Sequence, residues 1–158
     1  MSTKSKIHPR TTQVSDWSIE QLPGLSIHDQ SKLKALGITT TRQLLDKAST
    51  GQAKQALANQ LKVKTQYVNK WVALADLARI PSIGCQYCGL VLHAGICSLT
   101  QLAQTPPHRL HQNILRLQVA TMKRRDLCPG VDQVARWTKQ ARDLAIAKGT
   151  GNENYHNS

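Results

Sequence analysis

The residues best suited to chemistry in this chain are Cys85 and Cys88, in the run Cys85-Gln86-Tyr87-Cys88. Two thiols at i, i+3 share one helix face. That spacing is a usual half-site for zinc or an iron–sulfur cluster, and also the spacing of a redox dithiol. Cys97 and Cys128 complete the set. The candidate metal ligands are Cys85, Cys88 and Cys128, with Cys97 or a histidine as a fourth. A helix start at Cys85 would lower the thiol pKa and favour the thiolate that metal or redox chemistry needs. Against this, the second half of the set is not a matching pair, and no βαβ pattern surrounds the dithiol. Cysteine also serves readily as a small buried apolar residue. Metal site, redox pair and buried thiols therefore stay open, with zinc or iron–sulfur as the possible cofactors. His108-x-x-His111 shares the i, i+3 spacing, but an exposed pair on a basic helix is the commoner use. His93 is expected to pack on its own helix.

A second kind of chemistry, anion binding, is suggested by a motif that occurs twice. Leu22-Pro23-Gly24-Leu25-Ser26 leads to Gly37-Ile38 and on to Gln43-Leu44; Ile80-Pro81-Ser82-Ile83-Gly84 leads to Gly95-Ile96 and on to Gln101-Leu102. The offset is 58 residues throughout. A tight Gly-apolar-Gly turn at a helix start leaves backbone N–H groups free to bind an anionic oxygen, aided by the helix dipole. Glycine lets a phosphate approach the backbone closely. Gly24, Leu25 and Ser26 in the first copy, and Ser82, Ile83 and Gly84 in the second, are the candidate phosphate contacts. Each copy keeps one glycine of two.

These residues resemble the helix-hairpin-helix superfamily, over roughly residues 17–145 and on Leu22–Ser26, Gly37-Ile38, Ile80–Gly84 and Gly95-Ile96. More narrowly, the chain is similar to an uncharacterised tandem helix-hairpin-helix family, a domain of unknown function frequent in photosynthetic bacteria. The resemblance implies nucleic-acid binding and no assigned activity.

The elements that must position these groups read as helices. Ser18-x-x-Gln21, Thr40-x-x-Gln43 and Ser98-x-x-Gln101 have capping-box spacing. Gly37 and Gly95 sit where helix C-caps are expected. Helices are predicted over Gln52–Leu61 and Tyr67–Arg79. Thr105 is expected to cap a helix that opens at Pro106 and runs through Leu110, Ile114, Leu117 and Met122. After Pro129-Gly130 a last helix carries Val131, Val134, Trp137, Ala141 and Leu144. The expected fold is all-α: two helix-hairpin-helix repeats, each followed by a helix pair, packed as one continuous helical unit because no linker separates them. Residues 1–15 read as a flexible basic arm, 16–79 and 80–147 as the two repeats, and 148–158 as a disordered tail.

The 158 residues carry a net charge of +12, with 12 Lys/Arg against five acids in 1–79 and nine against four in 80–158. A polyanion is the expected partner: nucleic acid, with duplex DNA the expected form, or an acidic protein complex. Lys32 and Lys34 follow the first hairpin. Arg109, Arg116 and Lys123 recur every seven residues along one helix, and Arg124 and Arg125 extend the stripe. Phe is absent and Trp71 and Trp137 lie on apolar faces, so no stacking platform for single strands is expected. No segment approaches the roughly 18 apolar residues of a membrane span, and Met1–Val14 lacks an apolar signal region. A cytoplasmic protein without membrane insertion is expected.

No nucleophile stands with a base and an orienting group, and no phosphate-binding glycine loop is present. The nine acids are scattered, none falling between Gly84 and Asp126. A base-excision glycosylase or a two-metal nuclease would need acids that are not there. The expectation is a non-enzymatic module that binds the nucleic-acid backbone through both hairpins with little sequence specificity. The alternative is an adaptor or assembly factor docking on an acidic protein complex.

Overall fold

Ser26, Thr40, Thr50 and Ser98 each stand in extended backbone, accept a hydrogen bond from the N–H three residues on, and open a helix. Such caps replace one missing bond of the first turn. The computed structural model describes residues 14–120 and 128–157. The capped helices are α1 (Ile27–Ala35), α2 (Thr41–Lys47), α3 (Gly51–Leu61) and α6 (Leu99–Gln104). The others are α4 (Thr65–Ala78), α5 (Gly84–His93), α7 (Pro107–Ala120) and α8 (Val131–Asn157). A 3₁₀ turn, Ile19–Gln21, precedes α1. Among the described residues there is no strand, only an isolated bridge between Ser18 and Thr40. The all-α expectation holds. No helix in the described residues is long and apolar enough to cross a membrane.

Helix endings repeat. Gly37 (φ +84°) and Gly95 (φ +106°) take the left-handed conformation that terminates α1 and α5. The N–H of Ile38 returns to the Leu33 carbonyl at 3.0 Å, and that of Ile96 to Val91 at 3.2 Å. Both isoleucines are buried, so each ending ties a hydrogen bond to a core contact.

Three local expectations are corrected. Ser18 accepts from Glu20 N–H rather than Gln21, because the Pro23-Gly24 break leaves room only for a 3₁₀ turn. Helix α7 opens at Pro107, not Pro106. A residue before proline is pushed out of helical backbone, which excludes both Thr105 and Pro106. Thr105 instead closes α6, its Oγ1 donating to the Gln101 carbonyl at 2.7 Å. Helical backbone in α8 continues to Asn157, past Gly149 where a disordered tail was expected. Glycine there costs about 1 kcal/mol relative to alanine but removes no hydrogen bond, so it does not stop a helix as proline would.

One core runs through the molecule. Helix α4 packs on α2, α3 and α5, while α8 packs on α6 and α7. Trp71 of α4 and Trp137 of α8 are fully buried on these faces, as their apolar surroundings in sequence suggest. Two carboxylates reach the starts of the short helices. Asp16 accepts from Arg42 N–H at 3.0 Å at α2, and Asp76 from Leu99 N–H at 2.8 Å at α6. Asp76 extends from α4, so this bond links the first half of the chain to the second.

Candidate functional site

Hairpin one is open. Gly24 (φ +77°) and Ser26 are exposed, while Leu25 between them is buried and anchors the turn. Ser26 Oγ accepts from Asp29 N–H at 3.0 Å, and the Leu25 carbonyl accepts from Gln30 Nε2 at 3.0 Å. The N–H groups of Ile27 and His28 lie in the first turn of α1, where helix geometry supplies no partner. A Cβ on Gly24 would lie 3.8 Å from Lys70 Nζ, which places the α4 ammonium over the turn. Asp29, in the same first turn, opposes an incoming anion.

The flanking lysines expected to help are committed elsewhere. Lys32 Nζ donates to the Leu61 carbonyl at 3.0 Å, satisfying the C-terminus of α3, and Lys34 pairs with Glu20. Lys70, which the hairpin motif does not include, takes their place. Its sequence signal is the match between Val68-Asn69-Lys70-Trp71 and Val134-Ala135-Arg136-Trp137, a cation before a buried tryptophan in both final helices.

Hairpin two is closed. Ser82 N–H donates to Gln140 Oε1 of α8 at 3.0 Å, and the N–H groups of Ile83 and Gly84 both donate to the Ile80 carbonyl at 2.9 Å. Ile83 and Gly84 are buried. Trp17 covers the turn: a Cβ on Gly84 would come within 2.8 Å of Trp17 Cζ2. The indole is held by Nε1 donating to the Ala78 carbonyl at 2.8 Å, and its chain segment by Ser15 N–H donating to the Arg79 carbonyl at 2.9 Å. The backbone N–H groups of Ser82, Ile83 and Gly84, the phosphate donors expected in the second copy, are thus already bonded.

Residues 23–144 match the family model described as Domain of unknown function (DUF4332). The chain belongs to the DUF4332 family. No curated protein and no solved structure matches it. The DUF4332 region takes in the turns at Pro23 and Pro81 and about half of α8.

Of the basic stripe in the DUF4332 region, Arg109 and Arg116 are exposed on α7; Lys123, Arg124 and Arg125 lie outside the described residues. On α8, Arg142 Nε donates to the Ala103 carbonyl at 3.0 Å and Lys139 faces Asp143 at 3.5 Å.

The cysteines are the expected metal ligands. Cys85, Cys88 and Cys128 are all described, yet among the described residues no three of His, Cys, Asp and Glu gather where they could hold a metal ion. Cys88 is buried and Cys85 half-buried, with Cys88 Sγ donating to the Cys85 carbonyl at 3.9 Å. Burial pushes the Cys85 thiol up to about 11. Burial, with the neighbouring Cys85 adding to it, pushes Cys88 up to about 12. The lowering expected from the helix start is overridden because the pair packs against the core, where a thiolate is desolvated. Thiols this reluctant to ionise suit packing better than redox exchange. Cys97 is exposed and, as expected, precedes the α6 cap, its N–H donating to Gln101 Oε1 at 2.8 Å. His93 is exposed in the last turn of α5.

Proposed function

We propose that this protein is a non-enzymatic, tandem helix-hairpin-helix module that binds the nucleic-acid backbone through its first hairpin, with little sequence specificity. The two-repeat reading draws on paired local features: the 58-residue offset, the left-handed Gly37 and Gly95, and the caps at Thr40 and Ser98. Gln43 and Gln101 brace the chain alike, accepting from Thr39 N–H at 2.7 Å and Cys97 N–H at 2.8 Å. The packing of α4 on α2 and α3 parallels that of α8 on α6 and α7.

The observation that carries the binding proposal is the turn at Gly24–Ser26, exposed at a helix start with the Lys70 ammonium above it. Net charge of +12 supplies long-range attraction. Phosphate contacts of this kind hold a duplex without reading its bases. Binding of a labelled duplex, followed by anisotropy across salt, tests it. Affinity should fall with salt through counterion release, with the modest slope that a few phosphate contacts give, and Lys70→Glu should weaken it further. A flat salt response, or no duplex binding at low salt, overturns the proposal.

A second reading, an adaptor for an acidic protein partner, is favoured by hairpin two, whose donors serve packing alone. A stoichiometric protein partner that survives nuclease treatment would support it.

A further inference from the structure

Helix α4 is covered by α2 and α3 on one side and α5 on another. Its remaining face, Asn69, Val72, Ala73 and Asp76 at i, i+3, i+4 and i+7, looks into a groove of about 700 Å³. That volume is in the range of formed ligand sites, roughly 300–1,000 Å³. Leu45 of α2, Ala48 at its C-terminal cap and Leu92 of α5 join Val72 and Ala73 as an apolar floor. Both halves of the chain thus build the walls.

Charge decides what fits. Asp76 is used up at the groove's end, one oxygen pairing with Arg79 and the other accepting from Leu99 N–H. Lys54 and Lys70 line the groove with a single further carboxylate, Asp46, and no ion pair among the described residues joins the three. The chain's own first 13 residues carry Lys4, Lys6 and Arg10 and no acid, which makes them a poor occupant. A second copy carries +12 and is repelled. An apolar floor with a cationic rim calls for an apolar anchor flanked by carboxylates, as in helix-in-groove and acidic-motif recognition.

We propose that this groove docks an acidic protein segment with an apolar anchor. The site is separate from the hairpin turn and does not depend on nucleic-acid binding, although Lys70 borders both.

The test titrates the full chain against a fluorescent peptide of about 12 residues, mostly glutamate with two leucines at i, i+4. Two control peptides replace the leucines by serine or the glutamates by lysine. The leucine–glutamate peptide should bind saturably below about 1 mM, and each control about tenfold more weakly or less. Amide shift changes should centre on Leu45, Val72, Ala73 and Leu92. Ala73→Trp, which fills the floor, and Lys54→Glu, on the rim, should each weaken binding about tenfold. Should Ala73→Trp fail to fold by circular dichroism, Lys54→Glu carries the test. Equal binding of the serine peptide, insensitivity to Lys54→Glu, or no saturation overturns the proposal. Loss of duplex binding with peptide binding intact would instead remove the nucleic-acid reading alone.

Discussion

Gly84 and Trp17 share one small volume. The missing Cβ of Gly84 leaves room for the indole, and its φ of +52° favours glycine as well. Gly84→Ala should therefore cost about 1–3 kcal/mol, combining backbone strain with displacement of the ring. Trp17→Ala should also destabilise, by about 2–3 kcal/mol for a half-buried ring and its hydrogen bond. The two should not add: with the ring gone, the added methyl no longer meets the indole. Chemical denaturation of both single variants and the double checks this, and strict additivity would show that the indole does not sit on the turn. The cysteines give a second prediction at this scale. Cys88 is held protonated up to about 12, against 9.0 for an ordinary thiol. The folded form therefore keeps its proton where the unfolded form loses it. Stability from this group is intact below pH 9 and falls as pH rises from 9 towards 12. Thermal melts across that window should show an alkaline loss that is shallower in Cys88→Ala. At neutral pH, an alkylating reagent should modify exposed Cys97 well before Cys88, read by mass spectrometry.

Among the elements, the short helices α2 and α6 depend most on their ends. Seven- and six-residue helices are too short to persist on propensity alone. Each is held at its start by a hydroxyl cap, a glutamine brace and a carboxylate from elsewhere in the chain. Asp76→Ala removes the partner of Leu99 N–H and of Arg79 together, and should cost about 1–3 kcal/mol. Amide exchange should quicken first in α6 and the end of α4. Equal change in all helices would mean that Asp76 acts only through global stability. The hydroxyl caps were legible because Ser or Thr followed by Gln at i+3 is a local rule. The carboxylates were not, because Asp16 and Asp76 lie 26 and 23 residues from the N–H groups they serve. The start of α7 lies one residue beyond the first proline of its pair, because Pro107 keeps Pro106 out of helical backbone.

Over the whole molecule, charge and closure bear on the proposed duplex binding. With +12 spread along the chain, duplex affinity should fall with salt at a slope of about −0.9 per phosphate neutralised. Hairpin one alone predicts a shallow slope, about −2 to −4, since few cations stand beside it. Lys70→Glu should lower affinity and flatten that slope, whereas Gln140→Ala, which frees Ser82 N–H, should cost about 1 kcal/mol of stability without changing it. A slope unaffected by Lys70→Glu would place the duplex on another surface.

The sequence by itself determined the all-α class, the caps at Thr40 and Ser98, the glycine endings at Gly37 and Gly95 and the buried tryptophans, because capping, glycine conformation and apolar periodicity act over a few residues. Only the tertiary structure decided which turn stays open. The two hairpins look equivalent as sequence, each with one glycine and one serine. Trp17 and Gln140, distant in the chain, close the second, while Lys70 leans over the first. The same holds for the thiols: a helix start argues for a low pKa, and burial against helices brought from elsewhere reverses it. Desolvation and long-range hydrogen bonding depend on which surfaces meet, and spacing along a chain does not encode that.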